Sequence, residues 1–147
     1  RGNLWSPDGA ASVYKDIIPL VDVVFAGDDE AAIAVGPGEP EELARRLAAL
    51  GPRHAVIKLG ANGAVALVDG EFYSQPAVPV EALDTVGAGD AFVAGYLAEL
   101  IAGLPPAASL RTAVATGAFA CLVPGDWEGA PRRHELTLLA SKEPVNR

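Results

Sequence analysis

The most informative stretch of this 147-residue sequence reads Asp84-Thr85-Val86-Gly87-Ala88-Gly89-Asp90-Ala91-Phe92-Val93-Ala94-Gly95. Its small residues fall where a loop becomes a helix, and the helical pattern continues to about Ile101. The backbone N–H groups of Gly87, Ala88 and Gly89 can converge on an anion there, and the helix N-terminus adds a field that favours negative charge. Asp90 follows in the first helical turn, where it could accept a proton from an attacking hydroxyl group. The stretch therefore predicts a turn that holds a transferring phosphoryl group.

A plainer interpretation of the same stretch is purely structural. Glycine-rich turns before helices are common, so the glycines could serve tight packing and Asp90 could be a favourable first-turn acid. A dinucleotide-binding redox domain is disfavoured, because the glycines come late in the chain and no strand with a ribose-binding acid follows at the expected distance.

Strands and helices alternate along the rest of the chain. The apolar patterns predict strands at 21–26, 54–59 and 64–68. They also predict helices over 40–50, 87–101 and 107–123. Two further helices are predicted to start at Ser6-Pro7 and at Asp28. Asp69-Gly70 predicts a tight hairpin turn, and Val78-Pro79-Val80 predicts an edge segment. Together they predict one α/β domain over residues 1–140, with a mainly parallel sheet covered on both faces and a frayed tail at 141–147.

The stretch from Asp84 to Gly95 resembles, at every fixed position, the C-terminal signature of PfkB/ribokinase-type carbohydrate kinases, D-T-x-G-A-G-D-x-F-x-A-G. This resemblance implies a three-layer α/β/α ribokinase-like (Rossmann-like) fold, of which the chain would carry the C-terminal, nucleotide-binding portion. It also implies that residues 87–89 form the anion hole and that Asp90 is both the catalytic base and a substrate contact. Asp84 would either help to hold a monovalent cation such as K⁺ or cap a turn.

Two further segments resemble motifs of this family that lie near the nucleotide. Lys58-Leu59-Gly60-Ala61-Asn62-Gly63 is similar to K-x-G-x-x-G, although a plain β-turn would fit it as well. Gly27-Asp28-Asp29-Glu30 corresponds to N-x-x-E, which implies that Glu30 lies near Mg²⁺. Gly27 departs from the usual Asn of this motif. The alternative is that these residues are simply acids that favour a helix start. The residues that the resemblance places beside ATP are Lys58, Gly60, Ala61, Asn62, Gly63 and Val114, the last at a position where family members often carry Asn.

The start of the chain, Arg1-Gly2-Asn3-Leu4-Trp5, is similar to the end of a D-x-N-x-R-x-x-L-W segment typical of 2-keto-3-deoxygluconate kinases. Arg1 would meet the carboxylate of a sugar acid, and Asp126 lies in a loop where such kinases carry a substrate-contacting Asp. A surface arginine and a turn acid are the alternatives. The predicted activity is ATP- and Mg²⁺-dependent phosphorylation of a sugar or sugar-acid hydroxyl, with 2-keto-3-deoxygluconate as the favoured acceptor. Another PfkB sugar kinase, of the fructokinase or ribokinase type, and a non-catalytic nucleotide-binding fragment remain as alternatives.

The composition of the chain disfavours some classes of binding partner and favours one cellular compartment. With 19 acidic and 11 basic residues the chain has a net charge of −8, which disfavours a nucleic-acid or anionic-membrane surface. Its single cysteine, Cys121, cannot form an internal disulfide, and this favours a reducing, cytoplasmic compartment. The sequence starts at Arg1 and contains no methionine, so we interpret it as a fragment that would be inactive alone and could form a homo-oligomer through the half that precedes it.

Overall fold

The computed structural model describes residues 6–140, so the predicted substrate contact Arg1 and the predicted tail at 141–147 lie outside it. The chain divides between Ser74 and Gln75 into two compact units. The elements of the first unit are α1 (Pro7–Ile17), β1 (Val23–Gly27), α2 (Asp28–Val35), α3 (Pro40–Ala48), β2 (His54–Lys58), β3 (Ala64–Val68) and, at the division, β4 (Glu71–Gln75). Those of the second are α4 (Ala88–Ile101), α5 (Pro106–Ala120) and α6 (Thr137–Ala140). This content confirms the predicted α/β class, and no helix within residues 6–140 is both long and apolar enough to cross a membrane.

The strand order of the sheet is β1-β2-β3-β4. Strand β1 runs parallel to β2, with Gly27 opposite Lys58, whereas β2 runs antiparallel to β3, with Lys58 opposite Ala64. The prediction of a mainly parallel sheet is therefore wrong for the described strands. Connection length is the reason, because parallel neighbours need a crossover of about a dozen residues or more, and only residues 59–63 join β2 to β3.

The turn between β3 and β4 has the geometry that its sequence predicts. Asp69 has φ 48° and Gly70 has φ 90°, so both residues are left-handed, as a two-residue type I′ hairpin requires. Both oxygens of Asp69 accept hydrogen bonds from the Arg53 guanidinium at 2.8 Å, which fixes the turn from the neighbouring strand end. The predicted edge segment at Val78–Val80 is wrong, because residues 76–80 form no strand and Pro79 offers no N–H to a neighbour.

Helix α3 packs on β2 and β3 through the apolar face that its spacing predicts. Leu43 and Leu47 are each 1% exposed and belong to one core with Ala55 and Ile57 of β2. Because burying a leucine side chain contributes roughly 1.5–3 kcal/mol, these contacts hold the helix on the sheet.

Helices α4 and α5 pack closely against each other in the second unit. A Cβ added at Gly95 would overlap the hydroxyl of Thr116, and one added at Gly117 would lie 3.2 Å from the main-chain oxygen of Ala88. The hydroxyl of Thr116 itself donates to the main-chain oxygen of Ala113 at 2.9 Å. The two helices approach this closely because glycines occupy the contact positions.

A buried carboxylate lies between the same two helices. Glu99 of α4 has 4% of its side chain exposed, and its Oε1 accepts hydrogen bonds from Arg133 Nη1 at 2.5 Å and from Thr112 Oγ1 at 3.0 Å. The hydrogen bond from Arg133 lowers the pKa of Glu99 below its usual value, against the effect of burial. Glu99 Oε2 is buried and has no partner among the described residues. Arg133 therefore joins the segment after α5 to the helix pair.

Replacing Arg133 with Met is expected to lower the free energy of unfolding at pH 7 by about 1–3 kcal/mol, because a buried carboxylate loses its charged donor. The pKa of Glu99 in the folded state lies below its unfolded value of about 4.3, so this stabilisation is present above that value and is lost as the pH falls through the folded pKa. Urea unfolding at pH 7 and pH 3 checks both points. The neighbouring exposed Arg132, replaced with Met, is the control, and an equal loss in both variants would contradict the assignment.

Candidate active site

A tight turn carries the chain into the amino end of α4. Ala88 N donates to Thr85 O at 3.3 Å, and Gly87 has φ 75° and ψ −13°, the geometry of the third position of a type II turn. A side chain at this position would strain the backbone, so glycine is required here for conformational reasons. The predicted phosphate-binding turn is thus a defined local structure.

The first amides of α4 are open. Within residues 6–140, the N–H groups of Gly87, Gly89 and Asp90 donate to no other group, whereas Ala91 N already bonds Gly87 O at 2.9 Å. Open donors at a helix start, together with the helix dipole, suit an anion. The amide of Ala88 is not open, because it donates to Thr85 O at 3.3 Å. It would have to give up this long hydrogen bond to bind a ligand, so its place in the anion hole stays a prediction.

Asp90 lies in the first turn of α4 with its side chain exposed. The helix thus directs this carboxylate to solvent rather than into the core, beside the open amides of its own turn. A carboxylate in this position can accept the proton of a hydroxyl group that approaches a bound phosphoryl group.

The Asp84 carboxylate caps the turn and also accepts a hydrogen bond from the loop at residues 124–129. Its Oδ1 accepts a hydrogen bond from Val86 N at 3.1 Å and its Oδ2 accepts one from Gly125 N at 3.2 Å. These two bonds hold the pKa of the Asp84 carboxyl below its usual value. The turn-capping alternative is therefore observed. No cluster of three or more His, Cys, Asp or Glu able to hold a metal is found in the described part of the chain, and the cation role of Asp84 stays a prediction.

The loop at residues 124–129 lies against the same turn. A Cβ added at Gly87 would overlap the main-chain oxygen of Asp126, and the Asp126 side chain is exposed. The structure thus brings Asp126 next to the turn. No local sequence pattern predicts the hydrogen bond between Asp84 and Gly125. The exposed Trp127 was also not predicted, although an aromatic residue in a loop of Pro, Gly and acids is a recognisable signal.

The predicted nucleotide and metal residues of the first unit meet at one end of a strand pair. Because β1 and β2 are parallel, Gly27 and Lys58 lie side by side at their carboxyl ends. Glu30 Oε2 accepts a hydrogen bond from Gly27 N at 2.7 Å and lies 4.0 Å from Lys58 Nζ. With 62% of its side chain exposed, Glu30 keeps its second oxygen for a ligand, and such a hard oxygen fits Mg²⁺ or a metal-bound water.

The K-x-G-x-x-G segment forms a short 3-10 turn over Gly60–Asn62. Residues 60–62 are exposed, and Gly60 and Gly63 have φ 54° and 93°. The turn can therefore present its backbone to a ligand. Val114, by contrast, is 6% exposed on the buried side of α5 and offers no polar contact, so its place beside the nucleotide stays a prediction.

Comparison with known proteins places these features in a family. Residues 1–133 match the pfkB family carbohydrate kinases. A 2-dehydro-3-deoxygluconokinase of Thermoproteus tenax is 40% identical over 139 residues, which are 92% of this chain and 42% of that protein. A 2-dehydro-3-deoxygalactonokinase of Haloferax volcanii is 37% identical over 128 residues, 86% of this chain and 40% of that protein. This chain thus spans less than half the length of these curated relatives.

A solved structure supports the same conclusion. The aminoimidazole riboside kinase from Salmonella enterica, complexed with aminoimidazole riboside and an ATP analog, matches with a TM-score of 0.83 and 28% identity, over 96% of this chain and 50% of that one. The likeness confirms the predicted ribokinase-like α/β fold. The family match covers most of the sequence and includes the turn, Asp90 and both segments of the first unit. The chain belongs to the pfkB family of carbohydrate kinases.

Proposed function

We propose that the full-length protein transfers the terminal phosphoryl group of ATP to a hydroxyl group of a sugar acid, and that the acceptor is 2-keto-3-deoxygluconate (2-dehydro-3-deoxygluconate). One observation carries the proposal: open amide donors and the exposed carboxylate of Asp90 lie together in the first turn of α4. Family membership supports the reaction class.

In this mechanism Asp90 takes the proton of the acceptor hydroxyl, and the acceptor oxygen attacks the terminal phosphorus as ADP leaves. The open amides of Gly87, Gly89 and Asp90 donate to the phosphoryl oxygens, over which the negative charge of the transition state is spread. The protein forms no covalent bond to the phosphoryl group, so the rate depends on positioning and charge stabilisation.

The remaining predicted residues hold the nucleotide and its metal. In this proposal Lys58 and the turn at Gly60–Gly63 would bind ATP, and the second carboxylate oxygen of Glu30 would hold Mg²⁺ or a water bound to it. Mg²⁺ supplies charge neutralisation on the phosphate oxygens when it is bound. Asp84 keeps the turn in place and contributes to a monovalent cation site.

The sugar-acid acceptor has two supports. The two curated relatives described above are sugar-acid kinases at 37–40% identity, and Asp126 stands next to the turn that precedes Asp90. The riboside kinase with the similar fold shows that this architecture also accepts other substrates. A direct comparison of acceptors must therefore decide.

Such a comparison measures ADP release by the full-length protein with ATP and Mg²⁺. The acceptors are 2-keto-3-deoxygluconate, its C4 epimer 2-keto-3-deoxygalactonate, fructose and ribose. We expect kcat/KM for the favoured sugar acid to exceed that for fructose or ribose by about tenfold or more, since lost polar contacts discriminate strongly. Faster turnover of fructose or ribose would contradict the acceptor, and ATP binding without any turnover would favour the non-catalytic alternative.

A further inference from the structure

The loop at residues 124–129 is held by its backbone at both ends. Gly125 N donates to Asp84 Oδ2 at 3.2 Å, which ties the start of the loop to the turn before α4. Gly129 is buried, and a Cβ there would lie 2.7 Å from the main-chain oxygen of Ala120. Directly after the loop, Ala130 N donates to Trp127 O at 3.0 Å. The backbone of this loop is therefore fixed independently of the Trp127 side chain.

Trp127 presents its indole ring to solvent from this fixed loop. Trp127 is 75% exposed, and its backbone N–H donates to Glu128 Oε2 at 3.2 Å. Isolated exposed apolar residues are common, but the loop that carries Trp127 lies against the turn before α4.

The residue before Trp127 lies beside the turn that leads to the reacting groups of the proposed mechanism. Asp126, the residue before Trp127, packs its main-chain oxygen on Gly87 of the phosphate-binding turn. The acceptor hydroxyl must come within hydrogen-bond reach of Asp90, which follows the same turn. The 124–129 loop is thus fixed where the acceptor has to approach.

The two adjacent side chains match the two surfaces of a sugar acid. Such a molecule has hydroxyl groups along its edges and C–H groups between them. The Asp126 carboxylate can accept from hydroxyls, and an aromatic ring offers a rigid apolar surface with little conformational entropy to lose. Binding pockets combine aromatic walls with a few polar groups in this way. We infer that Trp127 packs on the C–H face of the acceptor and sets its affinity, an inference that rests on the proposed kinase function.

Kinetics of the full-length protein test the inference. Replacing Trp127 with Ala is expected to raise KM for 2-keto-3-deoxygluconate about tenfold or more, with kcat and KM for ATP within about threefold of wild type. Trp127→Phe should restore most of the affinity, because a flat ring remains. Ile101→Ala is the control, since Ile101 is 84% exposed at the last residue of α4. Equal KM values for the Trp127→Ala and Ile101→Ala variants would overturn the inference.

Fluorescence provides a readout that does not depend on turnover. Adding 2-keto-3-deoxygluconate without ATP is expected to change the tryptophan emission of the wild type, and most of this change should be lost in Trp127→Phe, which keeps Trp5. An emission change that ATP produces and the sugar acid does not would also overturn the inference. If the wild type phosphorylates none of the tested acceptors, the proposed function fails on that measurement, and emission still decides whether Trp127 meets the sugar acid.

Discussion

Replacing Asp90 with Asn in the full-length protein is expected to lower kcat by about 10²- to 10⁴-fold, the usual contribution of a general base. The amide cannot take the acceptor proton, but it preserves the size of the side chain and leaves the amides of α4 in place. The dissociation constant of ATP should therefore stay within about twofold of wild type. Steady-state kinetics and calorimetric titration with ATP measure the two quantities.

Asp8 supplies the matched control for this experiment. It is also an exposed acid in the first turn of a helix, α1, and it has no place in the proposed site. If Asp90 were a helix-start acid and nothing more, Asp8→Asn and Asp90→Asn would have similarly small effects. An unchanged kcat in Asp90→Asn would remove Asp90 from the mechanism.

The second large effect is expected for Gly87→Ala. The added methyl group would overlap the main-chain oxygen of Asp126 and would sit on a residue with φ 75°. Either the 124–129 loop or the turn must move, and the amides that follow the turn would move with it. A displacement of about 1 Å in a catalytic site can cost about 10²-fold in rate, so we expect kcat/KM to fall by at least about that factor.

Gly103→Ala separates the steric overlap from backbone strain. Gly103 has φ 73°, nearly the value of Gly87, yet a Cβ there meets no atom within 4 Å. Both variants should lose about 1–2 kcal/mol of stability, because alanine is strained in the left-handed conformation. The loss of kcat/KM and any further loss of stability should occur only in Gly87→Ala. Urea unfolding and kcat/KM for both variants check this, and equal activity in the two would mean that the Asp126 contact does not position the site.

Local patterns in the sequence were sufficient for the helix starts and for one turn. Ser6 accepts a hydrogen bond from Gly9 N at 3.2 Å and Pro7 begins α1, as an N-cap followed by proline predicts. Asp69-Gly70 forms the predicted hairpin for the same reason, since the two residues that tolerate positive φ are adjacent in sequence.

Strand direction and long-range contacts could not be obtained in this way. Apolar runs identify strands, but they carry no information on which neighbour is parallel, and the short connection at residues 59–63 was the available signal for the antiparallel pair. In the site, Asp90 at the start of α4 was predictable because the motif is local. The bond from Asp84 to Gly125 was not, because it joins positions 41 residues apart, and no periodicity relates them.

The close contact at Gly95 has a consequence for the direction of α4. Thr116 fills the space that any side chain at Gly95 would need, so α4 can lie this close to α5 only with glycine at this position. A methyl group at this point would push α4 away from α5 and would displace the open amides at the start of α4, about two turns from Gly95. The last glycine of the signature thus contributes to the placement of these amides through helix packing and not through contact with a ligand.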